Sequence, residues 1–150
     1  MEFISRNAEK SNEIYRTFSE EEREFVTGGD TRDWYVKQEE YDGKTLGKVI
    51  YSSLCIEDNE PISFLDVFVI NNIGEITLGV KKNKRGYGYA SIEVKRMLDW
   101  YKENKDKGWI KSLSWFTHSK NKDSIRLAEK FNFIRDYERD YDEEWIAYRV

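Results

Sequence analysis

The stretch that most limits what this chain can become is Glu75-Ile76-Thr77-Leu78-Gly79-Val80-Lys81-Lys82-Asn83-Lys84-Arg85-Gly86-Tyr87-Gly88-Tyr89-Ala90-Ser91. A β-rich run enters a glycine-rich turn, and the turn enters an amphipathic helix. The helix carries Val94, Met97, Leu98 and Tyr101 on one stripe. The first amides of any helix lack intrahelical partners, point outward and carry partial positive charge. Such a turn is built to receive a phosphate. Gly86 and Gly88 allow close backbone approach, Ala90 is small where the helix begins, and Lys81, Lys82, Lys84 and Arg85 add positive charge. The same residues also make an ordinary solvated loop, and the turn alone does not decide between the two.

Other phosphate sites are excluded. There is no early GxGxxG within a βαβ repeat, as a dinucleotide fold requires. No Gly-Lys-Ser/Thr follows the glycines, so this is no P-loop.

Around this turn the chain reads as alternating elements. Phe3-Ile4 suggests a first strand, Asn7–Phe18 a helix, and Ser19 caps a second helix opened by Glu20, Glu21 and Glu22 and stopped by Gly28-Gly29. Trp34–Tyr41 and Thr45–Ile56 flank Asp42-Gly43, a hairpin signal. Glu57–Pro61 reads as a loop, Ile62–Ile70 as a strand or an insertion, and Asn71–Gly74 as a turn. Strand Glu75–Lys81, helix Gly88–Asn104, strand Trp109–Thr117, helix Asn121–Phe131 and a closing hairpin of Phe133–Tyr141 with Glu144–Val150 follow. This order predicts a mixed α/β (α+β) layer fold with a largely antiparallel sheet. Glu75–Lys81 and Trp109–Thr117 should form its parallel pair, joined by a right-handed crossover.

The 150 residues fit one domain. No apolar run reaches membrane-spanning length and Met1–Asn7 lacks a signal-peptide core, so a cytoplasmic protein without a membrane partner is expected. A net charge of −4 argues against nucleic-acid binding and suits a cationic partner. The single cysteine, Cys55, lies in an apolar run and reads as a buried hydrophobe. No metal site is evident.

Arg85-Gly86-Tyr87-Gly88-Tyr89-Ala90 resembles the Q/R-x-x-G-x-G/A signature of the GNAT acetyltransferase superfamily, with Arg85, Gly88 and Ala90 in its defined places. Asn121 to Phe133 resembles the family's N-x-x-S-x-x-x-x-x-x-G-F segment through Asn121, Ser124, Leu127, Lys130 and Phe133. The likeness covers Glu75 to Val150, and the run Glu75–Ala90 is nearest to the branch of ribosomal-protein N-terminal and polyamine acetyltransferases. It implies a GNAT fold that binds acetyl-coenzyme A and acetylates an amine. Arg85, Gly86, Tyr87, Gly88, Tyr89 and Ala90 would hold the pyrophosphate, the backbone at Leu78 and Val80 the pantetheine arm, and Asn121 the cofactor near that arm. Family members are often dimers, so a homodimer is compatible with the resemblance.

Two departures stand out: Ala128 occupies the place where many relatives carry the Tyr that protonates the leaving thiolate, and Asn132 replaces a Gly. The first keeps open a non-catalytic acyl-coenzyme A-binding module with the same fold.

Amine acetylation needs a neutral amine, and a lysine-type amine is almost wholly protonated at pH 7. Glu75, at the start of the strand leading to the cofactor loop, is the first candidate base, and a solvent-facing strand residue otherwise. His118, after strand Trp109–Thr117, is the second, and a bystander otherwise. For the thiolate acid, Ser124 or a Tyr from the last hairpin, such as Tyr137, is a candidate. The acid runs Glu20–Glu24 and Asp140–Glu144 would guide a cation or merely face solvent. The five tryptophans would line an amine pocket or pack the core.

Overall fold

A computed structural model describes residues 1–5, 7–27, 48–108 and 110–150. The expected strand Trp34–Tyr41, the hairpin turn Asp42-Gly43, the helix stop at Gly28-Gly29, Trp34 and Trp109 lie outside the described residues.

The described elements are β1 (Glu2–Ile4), α1 (Ala8–Tyr15), α2 (Glu20–Thr27), β2 (Lys48–Glu57), β3 (Glu60–Ile70), β4 (Ile73–Val80), α3 (Tyr89–Asn104), β5 (Ser112–His118), α4 (Lys122–Lys130), β6 (Ile134–Arg135) and β7 (Trp145–Arg149). They form one sheet in the order β1-β2-β3-β4-β5-β7-β6. Every pairing is antiparallel except β4 with β5. The mixed α/β expectation with one parallel pair holds. β6 runs parallel to β5 with β7 inserted between them, so the second strand-helix-strand crossover skips one strand.

Local chemistry sets the element ends. Asn7 caps α1, accepting from the Lys10 N–H at 3.0 Å. Ser19 and Glu22 form a reciprocal capping box: the Ser19 N–H donates to Glu22 Oε1 at 2.8 Å, and the Glu22 N–H to Ser19 Oγ at 3.2 Å. Two-residue hairpin turns of type I′ need positive φ at both central positions. Asp58-Asn59 (φ 52° and 62°) and Asn71-Asn72 (φ 51° and 63°) supply it.

Three expectations are corrected. Glu57–Pro61 is no loop: the turn is only Asp58-Asn59, and Pro61 lies in β3 opposite Ile56. Its missing N–H is tolerated because the register slips between Cys55 and Ile56. The turn at 71–74 is likewise tighter, with Ile73 and Gly74 already in β4. The strand expected at Phe133–Tyr141 shrinks to Ile134–Arg135. Asp140 Oδ1 takes the Ala147 N–H at 2.9 Å and chelates Arg135, replacing ladder bonds with side-chain bonds. A 3-10 turn at Tyr137–Arg139 fills the gap. The doubt over Ile62–Ile70 also ends, because β3 pairs along its length with β2 on one edge and β4 on the other.

The sheet carries two cores. On one face Leu65, Val67, Leu113 and Trp115 pack with Val94 and Met97 of α3 and with Ala128 and Phe133. On the other, Leu54 and Phe64 pack with Ile14, Tyr15 and Phe18. Each such side chain fully buried contributes roughly 1.5–3 kcal/mol. Cys55 is buried and free, and burial pushes its thiol up to about 11, so it packs as a hydrophobe. No helix among the described residues is long and apolar enough to cross a membrane.

Candidate active site

β4 and β5 pair only from Ile73 with Ser112 to Glu75 with Ser114. Both strands continue, β4 to Val80 and β5 to His118, but they no longer pair with each other. A wedge therefore opens in the sheet beyond Glu75. The Lys81 N–H donates to the Ile62 carbonyl at 2.8 Å, which sets the phase of the β3–β4 ladder. In that phase Gly79 exchanges bonds with Phe64, and the backbone groups of Leu78 and Val80 turn the other way, into the wedge. Arg85 Nε takes the Val80 carbonyl at 3.1 Å, leaving the Val80 N–H and both backbone groups of Leu78 facing the wedge.

At the wide end stands the glycine turn. Gly86 (φ 84°) and Gly88 (φ 88°) adopt left-handed backbone, and a Cβ on either would meet nothing within 4 Å. In this structure their role is conformational: a side chain would strain the backbone without clashing. Gly88 starts α3 without a side-chain cap, and its carbonyl takes the Ile92 N–H. The N–H groups of Tyr89, Ala90 and Ser91 are thus left without helical partners. Residues Arg85 to Gly88 are exposed. Tyr89 donates to Glu57 across the β2–β3 turn, anchoring the loop from behind and raising its own pKa to about 12.

The cations of this loop are already countered. Arg85 pairs with Glu22 and lies 4.9 Å over the Phe18 ring, while Lys81 and Lys84 flank Glu60. The Lys82 N–H donates to Thr17 Oγ1 at 3.0 Å. The loop is therefore stitched to α1 and α2.

The candidate catalytic residues fall on two sides. Glu75 and His118 lie on the sheet face that carries α1 and α2, whereas Ser124 lies on the face of α3 and α4. Glu75 sits at the last pair before the wedge, and its Oε1 is 3.1 Å from Arg139 Nη2. Burial raises its carboxyl above the ordinary range, and the Arg139 charge and hydrogen bond oppose that rise. His118 is buried, stacked on Phe25 at 4.8 Å and edge-on to Trp145 at 5.3 Å. Its Nδ1 accepts from the Lys120 N–H at 3.2 Å, so in neutral imidazole the proton belongs on Nε2, which lies 4.0 Å from Glu144. Neither ring nitrogen then offers a free lone pair. Ser124 Oγ accepts from Trp115 Nε1 at 2.9 Å, and Asn121 caps α4 by accepting from the Ser124 N–H at 3.3 Å.

Tyr137 is exposed beside Arg135 and does not line the site. Ala128 is wholly buried in the core, so its position offers no room for a phenol. Asn132 takes φ 63°, the conformation of the Gly it replaces.

Beside Glu75 a cleft of about 490 Å³ is lined by Phe116, Arg139, Asp140, Tyr141 and Trp145. Sequence reading missed Phe116, Arg139 and Tyr141. Arg139 carried no signal, since its importance arises only when the 3-10 turn brings it 64 residues back to Glu75. The acid run beside the cleft is largely committed. Asp140 holds Arg135, and Asp142 Oδ1 accepts from the N–H groups of Glu144 and Trp145, both at 2.8 Å. Of the described tryptophans, Trp115 packs in the core, Trp100 stacks against Tyr51 and only Trp145 lines the cleft. Among the described residues no cluster could hold a metal.

The family model for the acetyltransferase (GNAT) family matches residues 11–133. The chain belongs to that family. It is an N-acetyltransferase by fold and signature, with acetyl-coenzyme A as its acyl donor. An N-acetyltransferase from Staphylococcus aureus Mu50 is 20% identical, covers 99% of this chain and 96% of its own, and superposes with a TM-score of 0.68. The ribosomal-protein-S18-alanine N-acetyltransferase of Escherichia coli is 11% identical, with 99% and 92% covered and a TM-score of 0.68. The Campylobacter jejuni N-acetyltransferase PseH, solved with acetyl coenzyme A, is 18% identical, with 66% and 65% covered and a TM-score of 0.52. At these identities the likeness speaks for the fold. No curated protein sequence matches this acetyltransferase significantly.

Proposed function

We propose that residues 1–150 form one acyltransferase domain that seats acetyl-coenzyme A across the β4–β5 wedge and passes the acetyl group directly to an amine in the neighbouring cleft. The observation that carries this reading is the parting of β4 and β5 beyond Glu75, with the glycine turn at one end of the opening and the cleft beside the other. The free amides of Tyr89, Ala90 and Ser91 would take the pyrophosphate. The backbone of Leu78 and Val80 would bond the pantetheine arm, and an amide there would polarise the thioester carbonyl. That PseH was solved with acetyl coenzyme A supports the same use of the fold here. The chain would act in the cytoplasm, as a monomer or a homodimer.

In the chemistry we infer, Glu75 accepts a proton from the bound ammonium. The neutral nitrogen attacks the thioester carbon and a C–N bond forms. The C–S bond then breaks, and the departing sulfur takes the second proton from that nitrogen. This last transfer suits a site where Ala128 stands in place of a phenol. His118 would hold the Phe25–Trp145 wall in place, and Ser124 would position Trp115.

The test is calorimetric titration of acetyl-coenzyme A into wild type and an Arg85→Ala/Gly88→Trp variant. Binding in the micromolar range, abolished or greatly weakened in the variant, is expected. Equal binding by both would remove the turn from the site.

A further inference from the structure

Arg139 of the cleft wall pairs with Glu75 next to the cleft, an adjacent pair of opposite charges. Arg139 Nη2 lies 3.1 Å from Glu75 Oε1, and both side chains remain 26% exposed. Glu75 is the only hydrogen-bond partner of the Arg139 guanidinium among the described residues, and that guanidinium lies 5.2 Å over the Phe116 ring. Its Nη1 is shut from solvent and has no partner. A guanidinium offers five donors in a rigid fork matched to a carboxylate, so one spent on a single bond has unused capacity. The exposed part of the guanidinium is therefore the part open to a ligand from the cleft.

The other charges near the cleft are occupied. Asp140 is held by Arg135 and the Ala147 N–H, and Asp142 by two backbone amides. Glu144 stands beside His118. The remaining walls, Phe116, Tyr141 and Trp145, are aromatic.

We propose that the acceptor is an α-amino acid or a close analogue, its carboxylate taken by Arg139 and its amino group by Glu75, with its side chain against the aromatic wall. This rests on the reading that Glu75 faces the acceptor. The charge geometry chooses the class. Opposite charges adjacent in the cleft are satisfied together by a ligand whose own opposite charges are adjacent. A polyamine would set an ammonium against the guanidinium, and a peptide N-terminus would bring no adjacent carboxylate to it. The motif likeness to the ribosomal and polyamine branch lies in the cofactor loop, which does not touch this cleft. Arg139 acts in this scheme as a specificity residue. When a substrate carboxylate draws it away, Glu75 loses the charge that holds its proton affinity down and becomes the stronger base.

The experiment compares L-phenylalanine, L-phenylalaninamide, spermidine and a short peptide amide with a free N-terminus, following thiol release from acetyl-coenzyme A. Wild type, Arg139→Gln and Arg139→Lys are assayed, each checked for folding by thermal melt. Wild type should favour phenylalanine over its amide by about tenfold or more in kcat/KM. In Arg139→Gln that ratio should fall toward one, chiefly through KM, with Arg139→Lys between. Equal rates for acid and amide, preference for spermidine or the peptide, or an unchanged ratio in Arg139→Gln would overturn the proposal while leaving acetyl transfer intact. Absence of acetyl-coenzyme A binding by calorimetry would overturn the site itself, and this inference with it.

Discussion

Gly79 lies between the two residues whose backbones face the wedge, and its hydrogen atom is a packing requirement. A Cβ there would sit 2.5 Å from Phe64 Cε1, 2.6 Å from Phe64 Cζ and 3.1 Å from Phe18 Cζ. Phe64 is 1% exposed, enclosed by Ile14, Tyr15, Phe18 and Leu54. The ring cannot turn aside without displacing that cluster. Gly79 is not among the positive-φ glycines, so alanine suffers no backbone penalty there. By itself Gly→Ala would even stabilise, by about 0.4–1 kcal/mol through the unfolded chain. Overpacking a tight core costs about 1–3 kcal/mol, which is the larger effect. Gly79→Ala should therefore be destabilised by about 1–2 kcal/mol, which for a domain of this size lowers Tm by roughly 2–8 °C. Differential scanning calorimetry reads this directly. Phe64→Leu in the same chain should relieve the clash, giving a coupling of about 0.5 kcal/mol or more in a double-mutant cycle. A Gly79→Ala protein that melts at or above wild type, or a cycle with no coupling, would refute the packing argument. Because the displaced strand carries Leu78 and Val80, the variant should also bind acetyl-coenzyme A more weakly.

Other predictions follow from charge. Glu75→Gln should lower kcat strongly and abolish the acidic limb of the kcat/KM profile, which lies above the ordinary carboxylate range because burial raises that group; an unshifted limb in the variant would exclude Glu75 as the base. Glu93, in α3, is buried with its Oε1 on the Ser63 hydroxyl, and burial lifts its pKa from 4.5 to about 7. A raised pKa favours the folded state most when the group is neutral, so this contribution is full below about pH 4.5 and lost as pH rises through 7. The rise corresponds to about 3 kcal/mol at most, and Glu93→Gln should flatten urea-melt stability across that window. Asn132→Ala, with φ 63°, should cost about 1 kcal/mol, whereas Asn132→Gly should cost nothing, as chemical denaturation can test.

The parts of the molecule legible in sequence are those that short-range chemistry decides. Ser19 with Glu22, the glycine turn and the Asn121 cap each need only a few consecutive residues, and each stands where its spacing puts it. The parallel pair was expected between the right two strands. What escaped is set by contacts between distant segments. β6 stops at Arg135 because Asp140 reaches across to Ala147, and no hydropathy pattern carries that bond. Arg139 looked like one more surface charge until the fold laid it against Glu75 and Phe116. His118 had the residue type of a base, but its ring nitrogens are decided by a backbone N–H two residues on and a carboxylate across the hairpin.

The strand order has a consequence for how the chain is made. β7 is the last strand described, yet it lies between β5 and β6. As the polypeptide emerges from the ribosome, β5 and β6 wait for β7, the partner they share among the described residues, until Trp145–Arg149 arrives. The cleft, whose wall includes Trp145, closes at that same late moment. A chain interrupted before Trp145 would keep the glycine turn and its helix but present an open sheet edge to its neighbours, so premature termination should yield aggregates rather than a smaller working enzyme.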